Sequence, residues 1–280
     1  MSYSAVIGAG TMGLGIAYVL AAAGDDVVLV EPDATRAADA LPTLGFLTDS
    51  AVNKNKMTRT QAKDLLHHVS TAHTVRDLPP DGARLVVEAV PERVDLKQAI
   101  LAAVEEHASP EVLATNTSGL SIAELARVLA HPERFLGLHF FNPVWVMSLV
   151  EIVRGPATSD ATLADARSLV ARIGKEAIVV NDALGFATSR LGVAIGLEAM
   201  RMLEDGVGEA ADIDRAMELG YRHPMGPLRL SDLVGLDVRL DIARHLESCL
   251  GPRFSPPQIL LDKVAAGELG KKSGKGFYAW

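Results

Sequence analysis

The sequence predicts an α/β domain, a doubly wound sheet carrying a helical arm, followed by an all-α domain. Three observations carry this expectation. Strand-like and helix-like segments alternate from Tyr3 to Val180. A glycine-rich turn separates the first strand from the first helix. Beyond Asn181 only helical periodicity remains, which puts a boundary near residue 183 and gives domains 1–183 and 184–280.

The elements follow in order. Residues 3–7 read as a short buried strand, 8–15 as the glycine-rich turn, 16–23 as an apolar helix and 26–30 as a second strand. That βαβ unit of about 30 residues is the usual opening of a doubly wound sheet. From 33 to about 66 the composition turns helical, and the break at 53–57 makes two helices of it. This arm contains the stretch NKNK, polar and basic in an otherwise acidic chain. Alternation then resumes with a strand at 84–88, a helix at 92–107, a strand at 112–115 and a helix at 121–129. Strands at 135–139, 148–153 and 176–180 follow, the last preceded by a helix over 163–173. In the second domain, 191–203, 213–219 and 236–250 have helical periodicity.

Composition narrows the function classes. The 280 residues are 49% hydrophobic and 22% charged, with a formal net charge of −8. No broad cationic face for nucleic acid is expected from that balance. The single cysteine, Cys249, cannot form an internal bridge, and no Cys/His spacing suggests a metal site. Without a run of about 18 apolar residues, no membrane span is expected. The N-terminus carries no leader pattern, so the expected setting is the cytoplasm.

Gly8-Ala9-Gly10-Thr11-Met12-Gly13 is a GxGxxG placed after a strand and before a helix. Gly8 permits a tight turn, Gly10 lets backbone approach a pyrophosphate, and Gly13 allows the helix to pack closely on the strand. Thr11 and Met12 lie inside the motif, and the helix it opens offers its first N–H groups to an anion. Glu31 ends the second strand 18 residues after Gly13. A carboxylate there accepts both ribose hydroxyls of NAD and repels the extra phosphate of NADP, and the adjacent Pro32 supplies no compensating cation. This Rossmann-like pattern predicts NAD as the cofactor; a fold holding a different nucleotide is the competing reading. Glu92 and Lys97 follow the strand 84–88 at the ligand-binding edge of such sheets, although from spacing alone an ordinary solvated helix start explains them better.

His139 ends a buried strand, Asn142 and a turn-forming proline follow, and Glu151 lies 12 residues on. A carboxylate bonded to one imidazole nitrogen fixes the tautomer and leaves the other to take a proton, as oxidation of an alcohol requires. Ser118, in the segment Thr115-Asn116-Thr117-Ser118, follows another strand and is placed to bond the same hydroxyl. A packed, hydrogen-bonded structural histidine is the alternative for His139.

Several segments together carry a resemblance: VIGAGTMGLGIA, VEAVPERVDLK, ATNTSGLSI, GLHFFNPVWVMSLVEIV, GYRHPMGPLRLSDLVGLD and KKSGKGFYAW. The chain resembles the 3-hydroxyacyl-CoA dehydrogenase family nearly end to end. The resemblance implies that His139 is the catalytic base, that Glu151 pairs with it, and that Ser118 and Asn142 lie at the reacting centre near the nicotinamide. It makes Glu31 the ribose-binding acid and adds Glu92, Lys97, Asn116 and the tail residue Lys272 as cofactor contacts. Lys54, on the helical arm, falls where the family has a basic residue near the CoA moiety, against the alternative of a solvated helix end. One position departs from the family pattern. In Gly185-Phe186-Ala187-Thr188-Ser189-Arg190, Ser189 stands where many members have an asparagine that approaches the substrate, so one hydrogen-bond donor replaces two.

The implied activity is NAD-dependent oxidation of a 3-hydroxyacyl-CoA by a homodimer joined through its helical domain. Two other readings stay open: a dehydrogenase of a small non-CoA hydroxy acid, and a non-catalytic NAD-binding relative.

Overall fold

A computed structural model describes residues 2–280. The chain forms two compact units, one ending at Ala183 and the other spanning Leu184–Trp280.

Among the described residues the first unit holds an eight-stranded sheet in the order β3-β2-β1-β4-β5-β6-β7-β8. Its strands are β1 (Tyr3–Ile7), β2 (Val27–Val30), β3 (Val69–Ala72), β4 (Ala83–Glu88), β5 (Val112–Thr115), β6 (Phe135–Phe140), β7 (Leu149–Arg154) and β8 (Glu176–Asn181). Strands β1, β5 and β6 are buried along their whole length, and β4 at every residue but Arg84, as expected of parallel strands covered on both faces. From β3 through β6 the pairing is parallel; β7 runs antiparallel to β6, and β8 follows β7. The strand order reverses between β1 and β4, so the loops at their carboxyl ends part and open a crevice.

The helices of this unit are α1 (Thr11–Ala22), α2 (Ala34–Asn53), α3 (Arg59–His67), α4 (Val94–Ala108), α5 (Ile122–Leu125) and α6 (Asp160–Arg172). Helices α2 and α3 form the arm. Asp33 caps α2 by accepting from the Arg36 N–H at 2.9 Å, and Thr58 with Gln61 makes a capping box at the start of α3. Ala40, Leu44 and Leu65 anchor the arm in the same apolar cluster as β1 and α1.

The second unit is helical: α7 (Thr188–Glu204), α8 (Ala210–Gly220), α9 (Pro227–Val234), α10 (Leu236–Leu250) and α11 (Gln258–Ala265). Val193, Leu197, Met200, Leu228, Leu240 and Leu246 belong to its core. Two buried carboxylates tie the chain end to it. Asp232 accepts from the N–H groups of Phe277 and Tyr278, each at 2.9 Å, and from the Trp280 indole at 3.0 Å. Asp214 accepts from the Tyr278 hydroxyl at 2.7 Å.

Four local expectations need correction. The turn predicted over 8–15 is shorter, because α1 already begins at Thr11 and takes Gly13 and Gly15 into its first turns. Helix α5 covers only four residues of the predicted 121–129 helix and gives way to a single 3-10 turn, Ala126–Val128. Strand β3 had no sequence counterpart, since its two middle residues, Ser70 and Thr71, are polar and exposed. Helices α9 and α11 are eight residues each and start beside prolines, too short for periodicity to reveal.

Candidate active site

At the nucleotide edge, glycine chemistry determines the shape. Gly8 has φ +104°, and a Cβ there would lie 2.9 Å from the Ala89 carbonyl oxygen. A Cβ on Gly13 would lie 1.8 Å from the Gly8 oxygen, so only glycine lets α1 pack against the turn. Gly10 differs: no heavy atom lies within 4 Å of its missing Cβ. It is also the N-cap of α1 and makes no side-chain cap, so the first-turn N–H groups await an acceptor from outside the helix. Beside this turn lies a cavity of about 990 Å³ lined by Gly10, Thr11, Met12, Glu31, Arg36 and Val90, among others. Volume, bare backbone and an acid at the end of β2 together fit a dinucleotide.

Glu31 is buried and already well supplied with donors. It accepts from the Ala9 and Asp33 N–H groups, each at 3.0 Å, and from the Arg36 guanidinium at 2.8 Å. Burial pushes its carboxyl up, but these hydrogen bonds outweigh burial and hold it below the usual glutamate range. A carboxylate offers about four lone-pair sites. Three of them are taken by the protein's own donors. Sequence reading also missed the cation here: Arg36, on the first turn of α2, stands against Glu31 where Pro32 offered nothing.

The next loop, after β4, is organised by a buried ion pair. Lys97 and Glu88 are both fully enclosed. The Lys97 ammonium donates to the two Glu88 oxygens at 2.7 and 3.0 Å and to the Val90 carbonyl at 3.2 Å, and it lies 3.4 Å from Glu92. Burial pushes the Glu88 carboxyl above its ordinary range, against the pull of Lys97, Thr115 and the Val90 N–H. Glu92 reaches the loop after β5. It accepts from the Thr117 hydroxyl at 2.6 Å and from the Ser118 N–H at 3.0 Å. Lys97 is thus no solvated helix residue, whereas Glu92 is exposed but tied to the neighbouring loop.

At the reacting edge, strand register does the positioning. The antiparallel pairing of β6 with β7 sets His139 directly opposite Glu151. Directly opposed residues share a sheet face, so the two side chains meet, with Nδ1 of His139 2.7 Å from Glu151 Oε2. A carboxylate can only accept, so Nδ1 carries the hydrogen. The imidazole packs against the Phe141 ring at 4.4 Å between centroids. Asn116 holds the neighbouring strand end: its Oδ1 accepts from the Phe140 N–H at 3.0 Å, so its carbonyl end serves the protein. Ser118 and Asn142 are exposed on their loops.

The comparisons with known proteins accord with this geometry. A family model described as the NAD binding domain of 3-hydroxyacyl-CoA dehydrogenase matches residues 4–183, and one for the C-terminal domain of the same enzyme matches 185–280. The chain belongs to the 3-hydroxyacyl-CoA dehydrogenase family. A probable 3-hydroxybutyryl-CoA dehydrogenase of Bacillus subtilis is 40% identical over 98% of this chain and 95% of its own length. The crystal structure of Mycobacterium tuberculosis FadB2 is 40% identical, with a TM-score of 0.93 over 100% of this chain and 99% of that one. That of (S)-3-hydroxybutyryl-CoA dehydrogenase PaaH1 from Ralstonia eutropha is 36% identical, also with a TM-score of 0.93, over 100% of this chain and 99% of that one.

The remaining expected residues lie as follows. Lys54 is the exposed C-cap of α2, at the tip of the arm. Ser189 sits in the first turn of α7. Lys272 pairs with Asp237 at the start of α10. Residues that sequence reasoning did not single out are Arg36, Glu88 and Thr117. A carboxylate inside the apolar run LVVEAV is the signal that could have found Glu88.

Proposed function

We propose that this family member oxidises (3S)-3-hydroxyacyl-CoA to 3-ketoacyl-CoA with NAD, using His139 as base and Glu151 to orient it. The His139–Glu151 pair carries this reading. With Nδ1 committed to Glu151, proton exchange falls to Nε2, which takes the substrate hydroxyl proton. Glu151, fully buried, then stabilises the imidazolium. NAD, when bound, accepts the hydride that leaves C3. In the reducing direction His139 returns the proton. Ser118 and Asn142 hold the reacting groups.

Lys54 supports a CoA substrate, because an exposed ammonium at the arm tip suits phosphates in a chain of net charge −8. The names of the relatives above support a short acyl chain. Steady-state assays with 3-ketoacyl-CoA substrates of rising chain length, against free hydroxy acids at equal NADH, test this. Turnover of the free acids alone would overturn it, and tight NADH binding without any turnover would favour a binding protein.

The working form is a homodimer joined through the helical unit. Leu191, Leu230, Leu233 and Val238 are exposed apolar side chains of that unit, a pattern that suits burial against a second copy. Sedimentation as a species of monomer mass would contradict it. The setting is the cytoplasm, in keeping with the unbridged Cys249, and cell fractionation checks it. Among the described residues no helix is long and apolar enough to cross a membrane.

A further inference from the structure

Lys97 is usefully asked what it can touch. Its three N–H groups go to the two Glu88 oxygens and the Val90 carbonyl, and its side chain has no solvent exposure. To meet a ligand it would have to leave Glu88, stranding a buried carboxylate. Glu92, 3.4 Å away, is its fourth neighbour and is held by charge alone. Glu92 is the outward end of the set, since 40% of its side chain is exposed. The other Glu92 oxygen gathers the Thr117 hydroxyl and the Ser118 N–H, and Thr117 in turn accepts from the Gly119 and Leu120 N–H groups at 3.2 and 2.9 Å. Thr117 is therefore the knot of the loop, and Glu92 the post to which it is tied. On the inner side, Thr115 donates to Glu88 at 2.6 Å, so the same ion pair also grips the end of β5.

We infer that Lys97 is a positioning residue rather than a cofactor contact: from inside the sheet it holds Glu92, and through Glu92 and Thr117 it fixes the loop that presents Ser118. The inference rests on the reading of Ser118 as a group of the reacting centre. A compact ammonium suits this place, since it serves one buried carboxylate fully while its charge restrains a second. Loss of the restraint leaves the loop whole but loosely placed, and a misplacement of about 1 Å can cost about 10²-fold in rate.

The test separates placement from binding. Lys97→Met alone leaves Glu88 unpaired, so the informative variant is Glu88→Gln/Lys97→Met, which neutralises both partners. It should keep its thermal midpoint near wild type and lose about tenfold to 10²-fold in kcat, with NADH affinity by fluorescence titration changed less than about threefold. Thr117→Val, which leaves Lys97 and Glu88 in place, should show the same split. Combining it with the double variant should cost less than the product of the separate losses, because the two act on one path. NADH affinity weakened about tenfold or more with kcat retained would make Lys97 a cofactor contact and overturn the inference. Wild-type kcat in Thr117→Val, or losses that multiply, would overturn it as well. If the wild type itself turned over no acyl-CoA, the functional reading would fail first, whereas these variants address Lys97 alone.

Discussion

The two working edges of the first unit are built by opposite means. At the nucleotide edge, what matters is what the residues lack: Gly8, Gly10 and Gly13 clear space and leave the start of α1 bare of side chains that would cap it. At the reacting edge everything depends on side chains, His139 and Glu151 above all, and on the strand pairing that makes them meet. The first edge is assembled largely within one βαβ unit, the second from β4, β5, β6 and β7 together. Damage should therefore separate cleanly into lost binding on one side and lost chemistry on the other.

His139→Ala is the strongest test of that division. Turnover should fall by about 10²-fold or more while NADH affinity stays near wild type. Near wild-type turnover would remove His139 from the chemistry. Gly13→Ala is the mirror experiment. Its methyl would overlap the Gly8 carbonyl, an obstacle of backbone that cannot swing away. Stability should drop by about 1–3 kcal/mol or more, and NADH binding should weaken with it. Unchanged denaturation midpoints and NADH affinity would mean the turn is looser than described.

A smaller effect concerns acid. Glu31 is held below the ordinary glutamate range by Arg36 and two backbone N–H groups. A depressed carboxyl contributes stability above its unfolded value of about 4.3 and loses it as pH falls through the lower folded value. The stability gap between wild type and Glu31→Gln should thus be full near neutral pH and close below about pH 4. A gap that stays constant from pH 7 to pH 3 would show that Glu31 is not held down. The smallest change is expected from Lys54→Ala: KM for a 3-ketoacyl-CoA rises about two- to fivefold at low salt, less at high salt, with kcat unchanged. An unaltered KM would place the CoA away from the arm tip.

The contrast between the edges also explains what the sequence disclosed. The glycine turn and Glu31 lie within one βαβ unit, so their spacing alone pointed to a dinucleotide. His139 and Glu151 are 12 residues apart, and nothing in their spacing reveals an antiparallel pair; the family resemblance, not periodicity, singled them out. Lys97 was legible as a residue but not as a buried one, because its partner Glu88 belongs to a strand read as apolar. Arg36 escaped notice because attention fell on the residue next to Glu31, whereas the helix brings round the one five positions later. Strand β3 has too little apolar surface to be heard above the surrounding helices.

The His139–Glu151 register carries a consequence for how such an enzyme can diversify. Register between two buried strands is set by their own apolar packing together with the connection that joins them. A change of length confined to the exposed residues 145–147 leaves Phe141, Asn142 and the buried Val144 in place and is expected to spare the pairing of the base with its carboxylate. A single insertion inside β6 or β7, by contrast, would turn one of the two toward the opposite face. Laboratory libraries aimed at new acyl groups can begin at those three exposed residues, beside the histidine but outside its strand.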